Sequence, residues 1–455
     1  MKITVEEESI LKEIDESIQD YIKFLKLLIK TDSSNPPGNE GNIATIIKNY
    51  LDDQGIKCDI FPFNQDRANL IAYLNDNFDS RILLLNGHMD TVPFSSEDKW
   101  KYHPLSGEVE DNKFIYGRGA ADMKGGLAAM VITLKILRKY SKNFNGNIIL
   151  NAVADEEQGG DLGTKWCVDN VLKNLKCDFA IVGEYSGFNP FPKSVIIGEK
   201  GRTHVKITTH GISCHASTPF LGKNAAYMMT DIIQNIDKIT KYIPDKAPPL
   251  TESRLKEFIS QSYSDPEEFN NILRDNPHLN SLFTSVTQFS KALTTLNCGI
   301  KENIIPDKCE AVIDFRLLPG QDSKMIVDGL EKFITDLGYM IDNSNTKEGI
   351  SEYVDVKLIC DNKPSFIHKW RSSTNLSSFF KIVELIYKEK TFPFITPATT
   401  DAEFFRANGY CPETIIFGPG SFENIHAVNE HIEIQDYINC IKVYSLFAFR
   451  LLTSF

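Results

Sequence analysis

The stretch LLLNGHMDTVPF, residues 83–94, ends an apolar run on His88 and Asp90. The run that begins at Ile82 has the composition of a buried strand, and Asn86-Gly87 ends it. An imidazole and a carboxylate in a loop are ordinary surface residues, but they are also common ligands of zinc. The spacing of these two residues alone does not separate the two interpretations.

Other acidic and imidazole residues occur in comparable places. They follow predicted strands or precede a predicted helix, and they are Glu156, Glu157, Glu184, His426 and, in the glycine-rich GRGAADMKGG, Asp122. Taken singly, each is more often a solvated loop residue or a helix N-cap. Open α/β sheets form their sites beyond the carboxyl ends of their strands, so these side chains are expected at one edge. Their convergence favours a metal site.

The number of ligands indicates two metals. A catalytic zinc ion usually has three protein ligands and one open position. Five residues supply two such ions only when one carboxylate is shared, and the predicted set is His88, Asp122, Glu157, Glu184 and His426, with Asp122 shared. Glu156 is then free to act as a base. Asp90 is expected to orient His88 through a hydrogen bond to the ring nitrogen that does not bind metal.

Alternating strands and helices are predicted to hold these residues. Strand-like and helical segments alternate up to about residue 200, at 43–54, 70–73, 82–85, 125–140, 148–153 and 179–182. This pattern indicates an α/β layer with a mostly parallel sheet. Residues 200–362 then follow a βαββαβ order, with one strand predicted over 282–293, which is typical of a ferredoxin-like inserted domain. The polar stretch from Tyr242 to Asn280 does not fit that motif.

Composition excludes several classes of function. The 455-residue chain carries a net charge of -12, and its Lys and Arg residues are scattered, which argues against nucleic acid or an anionic membrane as partner. No stretch approaches the length of a membrane span, and the N-terminus reads as a helix rather than a secretory signal. The nine cysteines are spread without a CxxC pair, which predicts reduced thiols and a cytoplasmic location.

Five motifs carry a resemblance to a known family. GHMDTVPF, YGRGAADMKGG, DEEQGG, GEYSG and HAVNEH resemble the dizinc metallohydrolases that include acetylornithine deacetylase, succinyl-diaminopimelate desuccinylase and carboxypeptidase G. The resemblance covers nearly the whole chain in order. It implies a zinc-exopeptidase-like α/β catalytic domain, residues 1–199 and 363–455, with a ferredoxin-like lid at 200–362 that is also a possible homodimer contact.

The resemblance also implies roles for individual residues. It places His88 and Glu184 on one zinc, Glu157 and His426 on the other, and Asp122 on both, followed by a cis peptide at Asp122-Met123. Glu156 is the implied general base, His215 the residue that stabilises the oxyanion, and Asn303 and Arg316 the substrate contacts, with Arg316 binding a carboxylate. Tyr185 replaces the family's proline, and Glu199-Lys200 replaces the arginines of desuccinylases, which argues against that exact activity.

These inferences predict a zinc-dependent hydrolase of N-acyl amino acids. The resemblance implies attack by a hydroxide that bridges two Zn²⁺ ions, with Co²⁺ or Mn²⁺ as possible substitutes. The alternative is a metallo-exopeptidase, a carboxypeptidase or dipeptidase acting on small peptides, because it needs the same metals and base. A non-catalytic binding protein is disfavoured because neither Glu156 nor any expected ligand is missing.

Overall fold

The computed structural model describes residues 3–94, 97–342 and 352–453. The helices are α1 (Val5–Glu16), α2 (Ile18–Lys30), α3 (Glu40–Asp52), α4 (Gly125–Leu137), α5 (Ala225–Gln234), α6 (Glu252–Ser260), α7 (Pro266–Asp275), α8 (Leu279–Thr287), α9 (Ser323–Asp336), α10 (Thr374–Tyr387), α11 (Ala402–Arg406) and α12 (Ile434–Thr453). The strands are β1 (Lys57–Asn64), β2 (Arg67–Tyr73), β3 (Arg81–His88), β4 (Glu108–Glu110), β5 (Phe114–Tyr116), β6 (Gly146–Val153), β7 (Phe179–Val182), β8 (Ser194–Glu199), β9 (Gly201–His210), β10 (Ser290–Cys298), β11 (Lys308–Leu317), β12 (Tyr353–Asn362), β13 (Ser365–Phe366), β14 (Phe392–Thr396), β15 (Thr414–Ile416) and β16 (His431–Glu433).

The larger sheet has the strand order β1-β2-β6-β3-β7-β15-β8-β13, with β14 also paired to β8. Its centre is parallel, because β3 pairs in parallel with both β6 and β7, and β15 pairs in parallel with β7. β6 is buried along its whole length, and α4 and α12 pack against each other and against β3. Central parallel strands covered by helices explain the continuous apolar runs. The predicted α/β class with a mostly parallel sheet is therefore confirmed.

A second sheet is antiparallel, with the strand order β10-β11-β9-β12. β9 and β11 alternate buried and partly exposed residues, and α5 and α9 pack on the sheet and share a core with it. The elements β9, α5, β10, β11, α9 and β12 follow the βαββαβ order that the sequence predicts. β10 lies at the edge and is exposed along most of its length.

The helices α6, α7 and α8 lie between α5 and β10 in the sequence, but they do not pack on the smaller sheet. Leu255, Ile259 and Phe283 belong to the core of the larger sheet, so this excursion is anchored on that unit. The strand predicted over residues 282–293 is wrong in its first half, because 282–287 complete α8 and β10 begins at Ser290. The boundaries 1–199, 200–362 and 363–455 stay a prediction, and their residues 1–2, 95–96, 343–351 and 454–455 lie outside the described part.

The N-terminal segment forms α1 and α2, which are separated at Ser17, instead of one continuous helix. Both contribute apolar residues to the larger core, among them Ile14 and Leu25. Within the described ranges, no helix combines the length and the apolar character that crossing a membrane requires.

A close approach of two glycines brings α4 against the end of β7. A Cβ atom built on Gly126 would lie 1.8 Å from the carbonyl oxygen of Gly183. Gly126 follows Asp122 by four residues, and Gly183 directly precedes Glu184. The absence of a side chain at Gly126 therefore sets the separation of two chain segments that carry predicted metal ligands.

We predict that Gly126→Ala lowers the free energy of unfolding by about 1–3 kcal/mol or more, because the backbone must move to admit the methyl group. The measurement is a urea unfolding curve with and without zinc. Gly329→Ala in α9 is the matched control, because its Cβ would meet no atom closer than Ile243 Cγ1 at 3.1 Å and the Tyr242 carbonyl oxygen at 3.3 Å, and alanine favours helix. Equal stability of the two variants would contradict the close-packing argument.

Candidate metal centre

Three neighbouring strands end at one edge of the larger sheet. His88 is the last residue of β3 and pairs with Val153, the last residue of β6. Asn86 of β3 pairs with Val182, the last residue of β7. The turn after β6 carries Glu156 and Glu157, and the chain after β7 carries Glu184, so parallel pairing delivers these side chains to one place.

Two groups of ligand atoms adjoin at this edge and share one aspartate. His88, Asp122 and Glu184 form the first group, and Asp122, Glu157 and His426 form the second. His88 Nε2 lies 3.0 Å from Asp122 Oδ1 and 3.1 Å from Glu184 Oε1. His426 Nε2 lies 3.1 Å from Asp122 Oδ2 and 3.3 Å from Glu157 Oε2. The structure thus brings together all five residues predicted as ligands.

The hydrogen bonds of His88 determine which ring nitrogen is available to a metal. Nδ1 of His88 lies 2.9 Å from the backbone carbonyl oxygen of Asp90. Because a carbonyl oxygen only accepts, Nδ1 carries a proton, and Nε2 is the ring nitrogen that faces Asp122 and Glu184, where a metal would bind. The ring is therefore oriented as a ligand.

The partner of His88 differs from the sequence prediction in one respect. The Asp90 carboxylate, which was predicted to accept this bond, lies 3.6 Å from Nδ1, because the turn after β3 folds the Asp90 carbonyl back onto the ring. Its oxygens instead accept from the backbone N–H groups of Glu156 and Glu157, each at 3.3 Å, and from Asn35 Nδ2 at 2.9 Å. Asp90 therefore positions both the histidine and the diglutamate turn.

Glu430 holds the loop that carries Asp122. One oxygen of this buried carboxylate accepts from the backbone N–H groups of Ala121 and Asp122, at 2.9 and 3.1 Å, and the other accepts from Arg118 at 2.6 Å. The cis peptide expected at Asp122-Met123 is present. The sequence analysis missed Glu430 as a functional residue, although it stands inside the motif HAVNEH, because its partners lie about 300 residues away.

The charges of the centre fit a cation. Burial raises the pKa of Glu184 to about 8, and burial also raises the pKa of Glu156 well above its ordinary value. Hydrogen bonds to Asp122 and Glu157 raise the pKa of His426 to about 10. Glu184 Oε2 is buried and has no hydrogen-bond partner among the described residues. Crowded carboxylates of this kind, with an unsatisfied buried oxygen, are stabilised by divalent cations, and the donor set of imidazole and carboxylate suits zinc.

A cavity of about 510 Å³ opens onto the two ligand groups. Asp122, Glu156 and Glu157 line one part of it, and its apolar lining includes Tyr185 and Phe422. A further part comes from the smaller sheet, namely Arg202, Arg316 and Asn362. The cavity therefore lies between an acidic wall and a wall that carries two guanidinium groups.

Arg316 is the one predicted substrate contact that the structure places in this cavity. Its guanidinium already pairs with Asp314, with Nε–Oδ1 at 2.9 Å and Nη2–Oδ2 at 3.1 Å. The other two predicted residues of the inserted segment, His215 and Asn303, adjoin each other through a hydrogen bond from Ala216 N to Asn303 O. Both are exposed, and neither lines the cavity.

Further residues of the site were missed from the sequence. Arg202 and Asn362 line the cavity next to Arg316, and Asp401 lines it while its Oδ2 accepts a 2.9 Å hydrogen bond from Asn86 Nδ2. The alternation in RTHVKITTHG indicates that Arg202 lies on one face of a strand, but not what it faces. No pattern in a single sequence pairs Arg202 with residues more than 100 positions away.

Two adjoining groups of carboxylate and imidazole ligands lie at the strand ends of a parallel sheet, beside a cavity. This arrangement is typical of a metal-dependent hydrolase. The chain belongs to peptidase family M20/M25/M40, whose sequence model matches residues 84–450. It is a metal-dependent hydrolase of amide bonds, and the resemblance inferred from the motifs is confirmed.

Relatives and solved structures agree with this membership. A probable succinyl-diaminopimelate desuccinylase of Staphylococcus aureus (strain N315) is 27% identical over 443 residues, which cover 94% of this chain and 96% of the relative. The crystal structure of an M20 family metallo-carboxypeptidase from Sulfolobus solfataricus superposes with a TM-score of 0.71 at 23% identity, covering 95% of this chain and 98% of the other. The structure of a di-peptidase from Saccharomyces cerevisiae superposes with a TM-score of 0.72 at 15% sequence identity, and 98% of each chain is covered. These two structures show that the fold is shared.

We predict that Glu430→Gln weakens zinc binding by roughly 10- to 100-fold, because the amide replaces an acceptor oxygen with an NH₂ donor that faces either Arg118 or two backbone N–H groups. The measurement is competition for zinc with a fluorescent chelator. Glu433→Gln is the matched control, since Glu433 lies three residues on and is paired only loosely, at 3.7 Å, with the exposed Lys113. Equal zinc affinity in the two variants would contradict the positioning role.

Proposed function

We propose that the protein is a dinuclear zinc hydrolase that removes the acyl group from N-acyl amino acids. The observation that carries the proposal is the sharing of Asp122 between two ligand groups while Glu156 lines the same cavity and belongs to neither group among the described residues. That arrangement supplies metal ligands and a separate base at one place, as hydrolysis of an amide requires.

His88 and Glu184 would hold one ion, Glu157 and His426 the other, and Asp122 both. When bound, zinc supplies Lewis-acid polarisation of the amide carbonyl and acidification of water, and Co²⁺ or Mn²⁺ can supply the same chemistry. A cytoplasmic location is part of the proposal, and the nine free cysteines support it.

Glu156 is the proposed general base. Its backbone is held by Asp90, and its carboxyl group lines the cavity beside the ligand Glu157. Burial raises its pKa, which favours uptake of a proton from the attacking water and delivery of that proton to the departing amino nitrogen. The acid and base steps then use one side chain.

His215 and Asn303 are proposed to reach the cavity of a second copy of the chain. Both are exposed and outside the cavity of their own chain, and the nearby apolar side chains Phe220 and Ile300 are 98% and 89% exposed. The edge strand β10 also exposes Leu296. Apolar residues beside an unpaired strand edge favour a homodimer through this sheet, in which each histidine stabilises the oxyanion in the other subunit.

An exopeptidase acting on dipeptides or on C-terminal residues is the second candidate. The structures of similar fold named above are a carboxypeptidase and a di-peptidase, and such substrates need the same base and the same carboxylate-binding wall. Desuccinylation is not part of the proposal. Glu199 is bound by Arg406, Ser365 and Thr400, and Lys200 by backbone carbonyls, so neither faces the cavity.

The test is a panel of N-acetyl amino acids and dipeptides, offered to zinc-loaded protein with amino-acid release as the readout. We predict release from the N-acetyl amino acids. Release of amino acids from the dipeptides alone would favour the exopeptidase instead. Release from neither class of substrate would refute both candidate functions.

Within that panel, we predict that Glu156→Ala retains two zinc ions per chain and loses at least about 99% of activity, because general-base catalysis contributes roughly 10²–10⁴-fold. Glu157→Ala is the matched comparison at the next residue, and it is expected to bind less zinc. Metal analysis of the two purified proteins separates the roles. Full turnover by Glu156→Ala would rule out the assigned base.

Mixing two inactive variants tests the contribution of the second subunit. We predict that His215→Ala and Glu156→Ala, each inactive alone, regain about a quarter of wild-type activity when subunits are exchanged in equal amounts, because half the chains enter mixed dimers with one intact site each. Sedimentation analysis measures the dimer. Failure to regain activity despite proven exchange would place His215 in its own chain's site or outside catalysis.

A further inference from the structure

Two cysteines lie directly opposite each other on adjacent antiparallel strands of the smaller sheet. Cys298 is the last residue of β10, and its register partner on β11 is Cys309. Opposite residues of antiparallel strands have Cα atoms about 4.5–5.5 Å apart and direct their side chains to the same face. A disulfide requires Cα atoms roughly 4.4–6.8 Å apart. The backbone therefore already places these two thiols at a separation that a disulfide can span.

The two thiols differ in their access to solvent. Cys298 is exposed, whereas only 2% of Cys309 is exposed. Burial and the neighbouring Cys298 thiol raise the pKa of the Cys309 thiol to about 12, so Cys309 is protonated at neutral pH. A reagent in solution therefore meets Cys298 first. An accessible thiol beside a second, resolving thiol is the arrangement typical of cysteines that are oxidised reversibly.

A second pair of cysteines is close together but buried. Cys177 Sγ lies 2.9 Å from Cys411 Sγ, just ahead of the strands β7 and β15. Both residues are buried, and burial raises the pKa of the Cys177 thiol well above its ordinary value. A dissolved oxidant does not reach these sulfur atoms in the folded protein. This pair is therefore an internal control that separates proximity from access.

The exposed pair stands at the base of the loop that carries Asn303. This loop, residues 299–307, joins β10 to β11, and its second half is held by contacts such as the 2.9 Å hydrogen bond from Ala216 N to Asn303 O. Within the described part, residues 299–302 take part in one backbone hydrogen bond, a 3.3 Å contact inside the loop itself. A covalent link from Cys298 to β11 would restrain the half of the loop that hydrogen bonds leave free.

We propose that Cys298 and Cys309 form a reversible disulfide by exchange with a low-molecular-weight disulfide such as oxidised glutathione. The Cys298 thiolate attacks one sulfur of that molecule and releases one thiol, which leaves a mixed disulfide on Cys298. The Cys309 sulfur then attacks the Cys298 sulfur, loses its proton and releases the second thiol. The protein gives up two electrons and two protons, and the two released thiols carry them. This modification does not depend on the proposed hydrolysis.

The disulfide restrains the loop beside the residues proposed to reach a second copy of the chain. The loop contains Asn303, whose carbonyl oxygen accepts from the residue that follows His215. The bond closes a short stretch of chain, so its effect is local. We expect oxidation to slow cleavage by trypsin after the exposed Lys301 by at least about fivefold, because an exposed loop must open locally to enter a protease.

The experiment treats the native, zinc-loaded protein with oxidised or reduced glutathione, and then alkylates the free thiols after unfolding. Mass spectrometry of unreduced peptides is expected to find the Cys298–Cys309 link in most chains after oxidised glutathione. Dithiothreitol is expected to remove the link. Cys177 and Cys411 are expected to be recovered as alkylated thiols, since the oxidant does not reach them.

Three variants identify the two steps of the exchange. Cys309→Ser is expected to stop at the mixed disulfide, with one glutathione on Cys298. Cys298→Ser is expected to form no link, and its trypsin cleavage after Lys301 is expected not to respond to oxidised glutathione. Cys360→Ser is the matched control, because Cys360 is a partly exposed cysteine on β12 that lies opposite His204 rather than another cysteine. It is expected to behave as the wild type.

The proposal is overturned if the wild type forms no Cys298–Cys309 link, or if Cys298 links instead to Cys214 or to a second chain, which electrophoresis without reductant detects. It is also overturned if Cys298 in the native protein resists both glutathione and iodoacetamide, as it would where a second copy of the chain covers β10. Equal rates of trypsin cleavage in the oxidised and reduced protein would refute the restraint of the loop.

Discussion

Concentration of negative charge at one edge of a parallel sheet is the constraint on which the structure depends. Asp122, Glu157 and Glu184 meet there with two histidines, and Glu156 lies in the same cavity. Buried carboxylates repel each other and lose hydration, so such a centre persists only where the backbone holds each one in place. The close packing of α4 on Gly183 and the hydrogen bonds of Glu430 to the loop that carries Asp122 hold the backbone in this way.

The opposite wall of the cavity is positively charged, and its arginine side chains come from the smaller sheet. Arg202 and Arg316 stand on adjacent strands, so the field across the cavity runs from positive to negative. For the substrates proposed above, which carry a carboxylate at one end and an amide carbonyl at the other, this field would favour the orientation that directs the carbonyl to the metal ligands. Orientation thus follows from the charge distribution, before any specific contact with a side chain is made.

How much of this the sequence predicts depends on whether a signal is local. His88, Glu156 and Glu184 follow apolar strands directly, so their convergence could be predicted from strand ends and parallel pairing. Alternation predicts the smaller sheet, but it also predicts a strand over residues 282–287, which form a helix, because Leu, Phe, Thr and Val suit strands as well as a buried helix. Arg202 could not be found, since its role depends on strand register with Arg316 and Asn362, which are more than 100 residues away.

The segment that joins the two sheets explains how the arginines of the smaller sheet are held in a fixed position relative to the larger sheet. Lys200, between β8 and β9, is buried and donates to the carbonyl oxygens of Ser285 and Gln288 at the end of α8, at 2.9 and 2.6 Å. Glu199, one residue earlier, is bound on the larger sheet by Arg406. The chain is therefore anchored on both sides immediately before it reaches Arg202. α8 itself packs in the core of the larger sheet. The helices α6 to α8, which the ferredoxin-like pattern does not require, therefore connect the wall that carries Arg202 and Arg316 to the unit that carries the metal ligands.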